Sequence, residues 1–160
     1  SPLTIGTYLY DCGMEQGPLG VVAGSHRGPL FDLYDDQGKW TGHLRDEDVA
    51  RLDLDAVEYL CGPAGSVTIH NCRTVHGSPP NLSARPRPLL LATLSSADAM
   101  PYTRNPIQSR FDQSLLCGQP ARYARHDPTP CPLPPDWSGG YTSIFELQQR
   151  SGAQASIPRA

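Results

Sequence analysis

Apolar and polar residues alternate along Leu3-Thr-Ile-Gly-Thr-Tyr-Leu-Tyr10, the period-two pattern of a half-buried strand. Leu19-Gly-Val-Val-Ala23 predicts a second strand, closed by Gly24-Ser-His26. Ala56-Val-Glu-Tyr-Leu60 and Ser66-Val-Thr-Ile-His70 predict two more, on either side of a Gly62-Pro-Ala-Gly65 turn. Pro88-Leu-Leu-Leu-Ala-Thr-Leu94 is almost continuously apolar, the pattern of a strand buried on both faces. Asp11 to Gly17 reads as a turn. Residues 28–45 read as a long surface loop with a solvated acidic turn at Asp35-Asp-Gln-Gly. Asp46 is placed to cap a helical turn through Arg51, with acidic groups at its start.

Beyond Asp98 the texture changes. A helix is expected around Gln113–Cys117 and a short amphipathic one over 141–150. An extended Pro-rich stretch is expected over 127–140, and a disordered tail over 151–160. The domain reading is therefore 1–104 as the β domain, 105–150 as an extension packing on it, and 151–160 as tail. With 17 prolines and 15 glycines, a fifth of the chain punctuates turns, which suits a β-sandwich or barrel better than a helical fold.

A length of 160 residues suits one domain with a real core. The net charge of −3, without a basic run, argues against nucleic acid as a partner. No apolar stretch is long enough to span a bilayer, and no charged-then-apolar leader opens the chain. The five cysteines, Cys12, Cys61, Cys72, Cys117 and Cys131, are odd in number and lack paired spacing. That fits a reducing compartment, so a cytoplasmic location is expected. The chain opens at Ser1 and enters a strand almost at once, from which further sequence upstream is expected.

Residues 65–87 concentrate the chemistry. If 70–76 continued as one strand, His70, Cys72, Thr74 and His76 would share a face. Three of these bind metals, and a zinc site on His70, Cys72 and His76 is one reading. The preferred one packs His70 and Cys72 in the core. His76 differs because Gly77 follows it, leaving room beside the imidazole. Spacing alone leaves His76 between a structural and a ligating role. Arg87 stands at the threshold of the apolar run, where a guanidinium fork reaches inward for a carboxylate, whereas Arg85 is expected to meet solvent. Ser78 is either a turn residue bonding its own backbone or a hydroxyl for that same carboxylate. His26 is expected to anchor its loop, and His43 and His126 to be solvent-exposed. No phosphate loop and no nucleophile elbow occurs.

Three phrases taken together resemble a known family. Gln16-Gly-Pro-Leu-Gly-Val-Val-Ala-Gly-Ser-His26 is similar to the N-G-P-L-x-V-x-P-G-S-H phrase of phytanoyl-CoA dioxygenase-like proteins, with Gln16 and Ala23 as mild departures. His76-Gly-Ser-x-x-Asn81 followed by Arg87 resembles their distal-histidine and cosubstrate-arginine signature, and Ala97-Asp-Ala-Met-Pro-Tyr102 a later phrase. The resemblance covers residues 3–104. It implies a double-stranded β-helix, the jelly roll of cupins, and a non-haem enzyme that hydroxylates a small organic or acyl substrate with Fe(II), 2-oxoglutarate and O₂. It implies His76 as the distal iron ligand and Arg87, assisted by Ser78, as the clamp on 2-oxoglutarate.

The family's His-x-Asp or His-x-Glu is absent. Two positions after His26, His43, His70, His76 and His126 stand Gly28, Arg45, Cys72, Ser78 and Pro128. The expectation is an N-terminally truncated domain carrying half an iron site and inactive alone. Its open sheet edge would be a route to homo-oligomers. The alternative is a non-catalytic binding or scaffold domain of the same fold.

Overall fold

In the computed structural model, residues 2–103, 105, 108–135 and 144–150 are described. The expected tail at 151–160 and the end of the Pro-rich stretch, 136–140, lie outside them. The fold is mainly β, with short helical pieces.

Among the described residues, six strands form two antiparallel three-stranded sheets: β1 (Leu3–Tyr8), β2 (Gly20–Val22), β3 (Val57–Tyr59), β4 (Val67–Asn71), β5 (His76–Gly77) and β6 (Leu89–Leu94). The first sheet has the order β4-β1-β6 and the second β3-β2-β5. The predicted strands at 3–10, 19–23, 56–60 and 66–70 are thus present, with ends moved by one or two residues.

Register fixes which side chains share a face, because directly opposed residues of antiparallel strands project to the same side. Thr4 opposes His70 and Thr93, Gly6 opposes Thr68 and Leu91, and Tyr8 opposes Leu89. That face carries the core: Tyr8 is 1 % exposed, and its hydroxyl donates to the Leu60 carbonyl at 2.6 Å. Gly6 is buried because a Cβ there would stand 2.8 Å from Thr68 Oγ1. The opposite face holds Leu3, Ile5, Val67, Ile69 and Leu90, and is largely open.

The apolar run 88–94 forms β6, but it is not buried on both faces. Leu90 and Leu91 point to opposite sides of an outer strand and are 62 % and 59 % exposed. An apolar run records what a strand can bury, not whether a second layer is there to bury it.

Several loops and helices also depart from expectation. No helix forms at Gln113–Cys117. A turn at residues 110–113 ends at Gln113 with a positive φ of 60°, which no α-helix accommodates. The helix α1 (Asp46–Val49) begins at Asp46 itself, and Arg45 stands at its cap position without a side-chain cap bond. The segment 28–45 is more organised than a bare loop: Tyr34 bridges Trp40, and Asp35 Oδ1 accepts from the Gln37 and Lys39 amides at 3.0 and 2.8 Å. His43, expected in solvent, is half-buried, its Nδ1 2.8 Å from the Leu44 carbonyl and its Nε2 enclosed without a partner. His126 is exposed.

Among the described residues, hydrogen bonds tie the later segment to the earlier one. Arg125 Nε donates to Asp98 Oδ2 at 3.1 Å, Tyr34 donates to the Leu133 carbonyl at 3.0 Å, and Gln148 of α2 (Ile144–Arg150) donates to the Gly42 carbonyl at 2.8 Å.

Candidate functional site

The chain between β4 and β5 crosses from one sheet to the other, and this crossing builds the site. Asn71 Oδ1 accepts from the Arg73 amide at 2.9 Å, and the Asn71 carbonyl accepts from the Thr74 amide at 2.9 Å. This side-chain-closed turn breaks the run from 70 to 76 that a continuous strand would require. Cys72 is carried out of line with the histidines. It is exposed, its thiol 3.8 Å from Asn71 Oδ1. The core placement of Cys72 and the zinc reading on His70, Cys72 and His76 both fail for that reason. Among the described residues no group of three His, Cys, Asp or Glu side chains is placed to hold a metal.

His70 and His76 come together across the turn, their ring centroids 5.0 Å apart and their planes inclined by 51°. His70 is half-buried on the core face of β4, and its Nδ1 is enclosed without a hydrogen-bond partner. Burial first, and then the neighbouring His76, push its pKa below the usual histidine value, so the neutral ring is favoured. His76 is exposed on β5, opposite Val21. Its Nδ1 lies 2.7 Å from the Thr74 carbonyl. A carbonyl only accepts, so Nδ1 carries the proton and Nε2 keeps its lone pair free for a ligand.

A serine in the Gly24-Ser-His26 turn sets where β5 begins. Ser25 Oγ donates to the Val22 carbonyl at 2.7 Å and accepts from the Val75 amide at 2.8 Å, while Val22 N donates to the Val75 carbonyl at 2.9 Å. Ser25, rather than His26, is thus the hydrogen-bonding anchor of the loop. Its partner is 50 positions away in sequence. The only local signal was its place in the Gly-Ser-His phrase.

Arg87 and Ser78 meet: Arg87 Nη2 donates to Ser78 Oγ at 3.3 Å. The loop between them is shaped by Asn81. Its Nδ2 donates to the Arg85 carbonyl at 2.7 Å, and its Oδ1 accepts from the Ser83 amide at 2.9 Å. Gly17 supports the same loop from below. It adopts φ 67°, and a Cβ there would meet the Pro79 carbonyl at 2.3 Å, so only glycine fits. The Leu82 amide also donates to the Glu15 carbonyl, at 2.8 Å. The Gln16-Gly-Pro-Leu and His76-Gly-Ser phrases are therefore parts of one packed unit. Arg85 is exposed, as expected, while Arg87 is half-buried. The Tyr8 pKa is raised to about 12, first by burial and then by the Cys12 thiol, with the charge of Arg87 pulling the other way.

A separate cleft of about 440 Å³ lies between residues 29–32 and α1, lined by Leu30, Phe31, Asp48 and Arg51 among others. It shares no lining residue with His76, Ser78 or Arg87.

This unit carries an imidazole with one free nitrogen beside a hydroxyl-supported guanidinium, and its sequence places it in a known class. A sequence model described as phytanoyl-CoA dioxygenase (PhyH) matches residues 2–89, and the chain belongs to that family. One similar protein is the probable alpha-ketoglutarate-dependent hypophosphite dioxygenase of Stutzerimonas stutzeri, 32 % identical over 149 residues. The match takes in 92 % of this chain and 52 % of that protein, so the chain spans about half the length of this curated relative. Among solved structures, iron-bound EctD from S. alaskensis is similar at 24 % identity and TM-score 0.46, over 57 % of this chain and 30 % of that one. EvdO2 from Micromonospora carbonacea var. aurantiaca, complexed with 2-oxoglutarate, is similar at 30 % identity and TM-score 0.46, over 62 % and 42 %. Among the described residues no helix is long and apolar enough to cross a membrane.

Proposed function

We propose that these residues form the distal half of the active site of an Fe(II)- and 2-oxoglutarate-dependent dioxygenase with a double-stranded β-helix fold. The observation that carries this reading is the free Nε2 of His76, exposed by the Nδ1–H bond to Thr74, in a member of the phytanoyl-CoA dioxygenase family. His76 fits an iron ligand on chemical grounds, since a metal-binding imidazole donates its other N–H to an oxygen acceptor that fixes its tautomer. Arg87 fits the far carboxylate of 2-oxoglutarate, with Ser78 aligning the guanidinium. Iron and cosubstrate, when bound, would supply the oxidising chemistry. The residues of this chain hold, orient and neutralise charge around it.

A single imidazole does not complete an iron site, and none of the five histidines is followed two positions on by an acid. The remaining ligands are assigned to a His-x-Asp or His-x-Glu outside these 160 residues, which makes the chain inactive alone. The substrate is a small molecule, organic or acyl. The naming of a 32 % identical relative for hypophosphite supports a small substrate over a polymeric one. The lack of a three-ligand cluster among the described residues is what favours the second reading, a scaffold domain without chemistry.

Anaerobic titration of a longer reading frame with Fe(II) and 2-oxoglutarate separates the two. The dioxygenase reading expects a visible charge-transfer band, its loss in His76→Ala, and cosubstrate binding weakened roughly tenfold or more in Arg87→Ala, the scale of a lost charged hydrogen bond. Turnover by His76→Ala at the wild-type rate would overturn it.

A further inference from the structure

We propose that Ser25 is a positioning residue for His76: its hydroxyl, acting through the one peptide unit between Thr74 and Val75, sets which ring nitrogen of His76 carries the proton. The consequence for iron rests on the dioxygenase reading; the control of the imidazole does not.

Four groups join end to end. His76 Nδ1 donates to the Thr74 carbonyl at 2.7 Å. That carbonyl belongs to the same planar unit as the Val75 N–H, and in a trans peptide the two point in opposite directions. The Val75 N–H donates to Ser25 Oγ at 2.8 Å, and Ser25 Oγ donates to the Val22 carbonyl at 2.7 Å. Ser25 and His76 therefore grip one peptide plane from its two ends. Turning that plane away takes the acceptor from His76 Nδ1. Every bond in the relay runs in one direction, from His76 to Val22, so each polarises the next and the Nδ1–H bond gains strength.

The local backbone explains why a serine does this. Gly24 adopts φ 79°, which doubles the chain back, and Ser25 reaches the Val22 carbonyl three residues behind it. A hydroxyl has one proton and two lone pairs. With the proton committed to Val22, a lone pair is left for Val75. The strand pairing holds the separation: Val22 N donates to the Val75 carbonyl at 2.9 Å, and Val21 opposes His76.

A free histidine side chain favours the proton on Nε2. His76 is exposed, and its bond to Thr74 reverses that preference. With the proton on Nε2, the lone pair that the dioxygenase reading assigns to iron is gone. A firm acceptor at Nδ1 also makes Nε2 more basic, as a metal-binding imidazole requires. The acceptor itself is backbone, which no substitution removes. Ser25 is the side chain through which the sequence controls it.

The test is imidazole nitrogen NMR on the ¹⁵N-labelled chain at about pH 8, above the ordinary histidine value of about 6.5. In the wild type, His76 is expected to carry its proton on Nδ1. A proton on Nε2 there would overturn the proposal without any substitution. Ser25→Ala is expected to raise the ratio of the Nε2–H to the Nδ1–H form roughly three- to tenfold, the scale of one lost hydrogen bond. Ser25→Thr keeps the hydroxyl and is expected to restore the wild-type ratio. Arg73→Ala is the control. It removes the 2.7 Å bond from Arg73 Nη2 to the Gly28 carbonyl, which ties down the same crossing without touching the 74–75 peptide, and is expected to leave the ratio unchanged. An unchanged ratio in Ser25→Ala, no rescue in Ser25→Thr, or an equal shift in Arg73→Ala would each overturn the relay. In a longer protein that shows the charge-transfer band, Ser25→Ala is expected to weaken Fe(II) binding roughly tenfold. Equal Fe(II) affinity there would overturn the consequence for iron. A longer protein without the band sinks the dioxygenase reading, while the shifted ratio in the 160-residue chain still supports the relay.

Discussion

The two faces of the first sheet are built from the same strands, yet they live in opposite surroundings. On one, Tyr8 is enclosed and hydrogen-bonded to Leu60. On the other, Val67, Ile69 and Leu90 are more than half exposed, although they are as apolar as any core residue. Composition does not separate the faces; the presence of a second layer does. The enclosed face is the one turned to the second sheet, through the contact of His70 with His76. The candidate site lies at the edge of that enclosed face, with His76 exposed and Ser78 and Arg87 half-buried.

If that contrast holds, substitutions on the two faces must differ in cost. Tyr8→Ala, which removes the best-buried aromatic ring, is expected to lower unfolding free energy by about 3–5 kcal/mol in urea denaturation. Gly6→Ala adds a methyl group 2.8 Å from Thr68 Oγ1 and 3.2 Å from Leu89 Cδ1, and is expected to cost about 1–3 kcal/mol. Tyr8→Phe keeps the ring but strands the Leu60 carbonyl, at a cost of about 1–2 kcal/mol. Ile69→Thr, on the open face, is expected to change stability by no more than about 0.5 kcal/mol. A cost for Ile69→Thr matching that of Gly6→Ala would show that the open face is covered in solution.

The pH dependence sharpens the same contrast. The Tyr8 phenol ionises at 10.0 in an ordinary setting and at about 12 in the fold, so the folded state keeps its proton where the unfolded state has lost it. Its stabilising contribution is complete below pH 10 and is lost as pH rises from 10 towards 12. Urea midpoints on either side of pH 10 should therefore fall more steeply in the wild type than in Tyr8→Phe.

How much of this was legible in the sequence depended on the range of the interaction concerned. Strand positions were readable because alternation and bounding Gly and Pro residues are local, as at Leu3–Tyr8 and Leu89–Leu94. The meeting of Ser78 with Arg87 was suggested only by the family resemblance, since a serine in a turn more often bonds its own backbone. Burial of 88–94 was misread because no local signal reports a missing layer. His70 and His76 were placed together for a reason that fails. Strand parity joined them, whereas the structure joins them through a turn, and that turn removes Cys72 from the group. Ser25 was out of reach because its partner at Val75 is brought in by the pairing of β2 with β5.

The crossing from β4 to β5 also has a meaning at the level of the gene. Both ends of Cys72–Val75 are pinned by hydrogen bonds, so an added or deleted codon there would turn His76 to the other side of β5. In-frame length variation should therefore be purged between Asn71 and His76.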